Sequence, residues 1–154
     1  MLSAGSKEGG DGVNTGKTAL RRCVYWLWQC SWGCLQTLAG AVVYVLCAGC
    51  RRTWYRCARV TYWRHDSGLS LGGFIFVPER RQTLRVHEYG HTVQSLLLGP
   101  LYLPAVGLPS ILWAGLPFLS RLRKVRGISY FDRYPESWAN TLSARITGEK
   151  PPSR

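Results

Sequence analysis

The chain has 154 residues, enough for one compact domain and too few for two. It carries 20 Lys+Arg against 8 Asp+Glu, a formal charge of +12, yet only 18% of its residues are charged, where about 25% is usual for soluble proteins. Mean hydropathy is −0.08, but residues 23–50 and 92–120 hold no charged side chain at all. Uncharged runs of this length predict a mainly α, integral membrane protein rather than an ordinary globule.

The bases crowd the ends of the apolar runs, as Arg21-Arg22, Arg51-Arg52 and the Arg121–Arg126 cluster. That placement suits anionic lipid head groups as partners. Nothing in the chain matches a nucleic-acid-binding module, so no nucleic-acid partner is expected.

In chain order, residues 1–22 read as a flexible basic tail. Within it, Gly12 to Thr18 imitates a phosphate-binding loop with one residue too few between its glycines. Residues 23–50 are long enough for a single transmembrane helix. Trp26, Trp28 and Trp32 lie near one end and Trp54 and Tyr55 just beyond the other, as in an interfacial belt. All six cysteines fall between positions 23 and 57, and without a second matching pair Cys47-x-x-Cys50 is too little for a zinc site. They read as small packing residues. Residues 51–145 form the expected zinc-site membrane domain, and residues 146–154 a second flexible tail.

Inside that domain, Ser70–Val77 predicts one short strand ended by Pro78. Helical periodicity runs from about Thr83 to Leu98 and stops at Gly99-Pro100. Residues 92–120 are apolar but broken by four prolines and by glycines, which predicts a shallow re-entrant segment. A last helix is expected from Pro135 to about Arg145.

The chemistry concentrates in His87-Glu88-Tyr89-Gly90-His91. Histidines four apart on a helix share a face and can grip one zinc ion, with Glu88 placed to deprotonate a water as general base. Shuffling this composition would yield the pattern on the order of two times in a thousand chains. A catalytic zinc needs a third protein ligand. Glu136 is the leading candidate, because it opens a helix and Asn140 follows one turn later, where its amide can orient a ligand histidine. Asp132 is the rival, and the His65-Asp66 pair a more distant one. Tyr130, Tyr134 and His65 are conceivable oxyanion donors.

H-E-Y-G-H followed by Glu136-x-x-Ala139-Asn140 resembles the membrane-embedded gluzincin metallopeptidases, in which a Glu from a later helix completes the site. The run from Val86 to Ser110 also resembles small bacterial membrane proteins of unassigned function that carry HEYGHTxQS. The resemblance covers about residues 70–142. It implies His87, His91 and Glu136 as Zn²⁺ ligands, Glu88 as general base, and hydrolysis of a peptide or membrane-protein substrate. Asn140 stands where many such enzymes have Asp. A re-entrant 92–120 keeps the motif helix and Glu136 on one side of the bilayer, and the charge bias then favours the cytoplasmic face of a bacterial inner membrane. The competing expectation is a non-catalytic membrane protein with a structural zinc site or a scaffold role.

Overall fold

The computed structural model describes residues 11–152, so residues 1–10 of the expected N-terminal tail and residues 153–154 of the C-terminal one lie outside them. Helix α1 (Asp11–Ser31) is followed after Trp32-Gly33 by α2 (Cys34–Leu46). The part of the tail after residue 10, including the loop-like Gly12–Thr18 stretch, is therefore helical.

Four strands follow: β1 (Arg51–Tyr55), β2 (Ala58–Trp63), β3 (Leu69–Leu71) and β4 (Phe74–Pro78). The sheet order is β1-β2-β4-β3. β1 and β2 are antiparallel and joined by Arg56-Cys57, with Tyr55 opposite Ala58. Arg56 adopts φ +54° there, a conformation that tight hairpin turns demand and that usually calls for Gly or Asn. β2 and β4 run parallel, with Val60 beside Ile75, while β3 folds back antiparallel on β4 and forms an edge.

β4 lies inside the sheet and is buried along its length, as a strand covered on both faces must be. Ile75 and Val77 pack into a core with Val60, Val86, Tyr89 and Val93. On the alternate positions, Phe74 meets Trp26 at 5.0 Å and Tyr44 at 5.1 Å between ring centroids. The sheet is thus held between α3 (Leu84–Leu98) and the N-terminal helix pair.

Beyond Gly99 the chain makes short turns and a π-helical stretch, Leu103–Gly107, before α4 (Leu108–Gly115) and α5 (Pro117–Arg126). Helix α6 (Glu136–Thr147) then returns to pack along α3.

The expected mainly α membrane architecture is corrected on two counts. The fold is α/β, with a four-stranded mixed sheet where one strand was expected; Ser70–Val77 is a hairpin turning at Gly72-Gly73. The uncharged run 23–50 is not one spanning helix. It breaks at Gly33, where a Cβ would fall 2.7 Å from Gln29 Oε1, because Gln29 and Gln36 both turn inward to bond α3 and its C-terminal end. Among the described residues no single helix is long and apolar enough to cross a bilayer. Of the apolar run 92–120, Thr92–Leu98 complete α3 and Gly99–Leu101 make a turn; Leu103–Gly115 and Pro117–Arg126 then form a pair bent by 75°, which by length and composition fits a broken span or the expected re-entrant segment. The cysteines differ from expectation too: Cys23, Cys30 and Cys34 are exposed, and Cys47, Cys50 and Cys57 only partly covered.

Candidate metal centre

Helix α3 begins and ends where the sequence places it, stopped by Gly99 at φ +53°. One turn apart on it, His87 and His91 are both buried and face α6. Glu136 is the first residue of α6 and wholly buried. Its Oε2 lies 2.9 Å from His87 Nε2 and 3.2 Å from His91 Nε2.

The two helices approach closely because of two small residues. A Cβ on Gly90 would lie 2.0 Å from the carbonyl oxygen of Ala139. Gly90 sits inside the H-E-x-x-H motif and Ala139 one turn after Glu136, so the same contact that docks α6 brings its acid to the imidazoles.

The far nitrogen of each ring is also held. His87 Nδ1 donates to Asn140 Oδ1 at 2.7 Å, and His91 Nδ1 donates to Gln94 Oε1 at 2.7 Å. The Gln94 amide is oriented independently, since its Nε2 donates to the Pro135 carbonyl at 3.1 Å. With both Nδ1 atoms acting as donors, neutral rings present bare Nε2 lone pairs to a carboxylate oxygen. Lone pairs converging in a buried space repel unless a cation lies among them, either a proton or a metal.

The donor set fits a metal. Two imidazoles and a carboxylate supply ligand atoms all within 4.8 Å of one another. Ligands about 2.1 Å from a tetrahedral zinc stand roughly 3.4 Å apart, near the separations seen around Glu136. The buried His87, His91 and Glu136 cluster can therefore hold a metal ion.

Titration follows the same geometry. Burial by itself would push the Glu136 carboxyl up, but the hydrogen bonds from His87, His91 and Ser110 and the charge of His91 hold it well below the usual carboxylate range. For His91, burial pushes the imidazole down, and the Glu136 hydrogen bond with the charges of Glu88 and Glu136 outweighs it and raises the pKa.

Glu88 lies beside this cluster and outside it. Its Oε2 accepts from Ser70 Oγ on the edge strand β3 at 2.9 Å. A Cβ on Gly68 would stand 2.0 Å from Glu88 Oε1, so glycine here lets the loop before β3 pass the acid without displacing its side chain. On the opposite side, Ser110 of α4 donates to Glu136 Oε1 at 2.5 Å, and the Tyr130 hydroxyl lies 3.3 Å from Ser110 Oγ.

A cleft of about 500 Å³ opens here between β3 and the Leu103–Gly115 segment. Glu88, His91 and Glu136 line its polar end, with Tyr130 and Ser110; Leu71, Leu108 and Ile111 are among its apolar walls. Burial, and then the nearby Glu136, push the Tyr130 phenol well above its ordinary pKa, so it remains a proton donor.

The other expected participants lie elsewhere. Asp132 is exposed and caps its own turn, accepting from Ser129 N at 3.2 Å. His65 is exposed against Trp63, and Asp66 pairs with Arg80 at 3.1 Å. Tyr134 is exposed and stacks on Trp138. Conversely, Gln94, Ser70 and Ser110 went unforeseen. Gln94 alone had a readable signal, sitting three residues after His91 on the same helix. No family model, curated protein or solved structure matches this chain.

Proposed function

We propose that the protein is a zinc-dependent metallopeptidase, with His87, His91 and Glu136 as the metal ligands and Glu88 as the general base. The observation that carries this reading is the placement of Glu88. It flanks the three-donor cluster, is held by Ser70, and faces a cleft open enough to admit a substrate. A structural zinc site would be closed by four protein ligands; here, among the described residues, three donors converge and the cleft opens beside them.

Zinc bound at such a site supplies a Lewis acid that acidifies water and polarises the scissile carbonyl. The chain's own groups do the rest. Glu88 takes the proton from the attacking water and delivers it to the leaving amine, with Ser70 holding its Oε2 at the cleft wall. Tyr130 donates its O–H toward developing negative charge on the substrate oxygen. The edge strand β3 borders the cleft, and an extended peptide would lie along it. Asn140 and Gln94, by accepting from the Nδ1 atoms, would leave both Nε2 atoms free to hold a metal.

The test is hydrolysis of a quenched-fluorescent peptide library by zinc-loaded protein, with Glu88→Gln beside the wild type. Loss of a general base reduces turnover by about 10²- to 10⁴-fold while metal content stays unchanged. A wild type that binds zinc and cleaves nothing, or an active Glu88→Gln variant, contradicts the proposal.

A further inference from the structure

The N-terminal helix pair packs Tyr25 and Trp26 on the core and also turns an apolar stripe outward. A helix on a water-facing protein turns its apolar stripe inward and its polar stripe outward. In α1, Leu20, Val24 and Leu27 recur at i, i+4 and i+7 and all face out, Leu27 being 71% exposed. In α2, Leu38, Val42 and Val45 repeat the same spacing and also face out. Gln29, Gln36 and Thr37 point the other way and are buried. Gln29 bonds the Thr92 carbonyl at 3.0 Å and accepts from Ser95, while Gln36 bonds Ser95 and the Gly99 carbonyl at 2.9 Å. The apolar surface continues past α1 onto Leu96 and Leu97, which share a groove with Leu20 and Trp28.

Charge identifies what covers this face. Residues 12–65 contain eight Lys or Arg and no Asp or Glu. Arg21-Arg22 stand within α1 before its Trp-rich end, and Arg51-Arg52 directly follow the helix pair. Arg22 and Arg52 hydrogen-bond backbone carbonyls and pair with no carboxylate among the described residues, whereas Arg51 meets Glu79 at 3.4 Å on the surface. A second copy of the chain docked on this face would set like charge against like, whereas an anionic lipid surface accepts both the bases and the apolar stripe. Exposed Trp28 and Trp32 suit the boundary between head groups and acyl chains.

We propose that the outward face of α1 and α2 is a lipid-binding surface that lies in the plane of an anionic leaflet, acyl chains against Leu20, Val24, Leu27, Leu38, Val42 and Val45, and phosphate head groups at the flanking arginines. This seating needs no helix to cross the bilayer. It rests on the helix pair alone and stands whether or not the metal centre is catalytic.

The test is flotation with vesicles of phosphatidylglycerol and phosphatidylcholine, with pure phosphatidylcholine vesicles as comparison. Wild type floats with the anionic vesicles and much less with the neutral ones. Brominated acyl chains quench its tryptophan fluorescence, and less so after Trp28→Phe with Trp32→Phe. Leu27→Glu with Leu38→Glu weakens binding by about a hundredfold or more, and Val24→Glu with Val45→Glu does the same, each with an unchanged circular dichroism melt. Undiminished binding by both folded double variants would overturn the proposal, as would equal binding to neutral vesicles. So would a dimer in sedimentation velocity that the same substitutions abolish, since the face would then belong to a second copy.

Discussion

At the residue scale the site depends on which nitrogen of each imidazole carries the proton. Asn140 and Gln94 settle this from outside the cluster by accepting from Nδ1. Partners of this kind contribute about 10- to 100-fold in metal affinity. Asn140→Ala and Gln94→Ala should each weaken zinc binding by that amount in a competition titration against a chromogenic chelator, with the fold intact. Gln94 is held by Pro135, so its loss also loosens the start of α6. Unchanged affinity in both variants would mean that the far nitrogens are oriented by something else.

At the scale of elements the decisive contact is α3 on α6. Gly90→Ala places a methyl 2.0 Å from the Ala139 carbonyl, and the helices must separate. Overpacking of this kind destabilises by about 1–3 kcal/mol; the melting temperature should fall, and zinc content should fall with it because Glu136 moves with α6. A variant that keeps full zinc would show that the acid is positioned independently of this crossing. The elements differ in how much of them the sequence discloses. The i, i+4 histidines and the Gly99-Pro100 stop make α3 legible, and Pro135 before Glu136 does the same for α6. β1 and β2 are hidden because their turn uses Arg56 and Cys57 in place of Asn-Gly, so the hairpin carries no turn signature. The helix break at Gly33 is equally hidden. It follows from Gln29 and Gln36 finding partners on α3 and at its C-terminal end, some sixty positions away in sequence, and an uncharged run read without those partners looks like one helix. Glu136 is legible as a candidate ligand from its place at a helix start, whereas Ser70 and Ser110 reach the site only through tertiary folding.

For the whole molecule, a metal bound as proposed would compete with protons for one buried space. In the metal-free protein the His91 pKa is raised. Its stabilising contribution is therefore fully present below the unfolded value near 6.5 and is lost as pH rises through the folded value. Glu136, with its pKa lowered, contributes above the ordinary carboxylate range and loses that contribution only as pH falls through its depressed value. The melting temperature of metal-free protein should thus decline as pH rises past the His91 transition. With zinc in excess the slope reverses, because deprotonated imidazoles bind metal better, and zinc at about a hundred times its dissociation constant adds roughly 2.7 kcal/mol. Calorimetry across that pH range, with and without zinc, checks both slopes; parallel curves would contradict a shared site.

The most direct measurement of the central claim is metal analysis of the purified protein after zinc loading and gel filtration, wild type beside His91→Ala, Glu136→Ala and Asp132→Ala. The expected result is roughly one zinc per chain in the wild type and in Asp132→Ala, and near-complete loss in the other two. No zinc in the wild type, or zinc retained without Glu136, would contradict it.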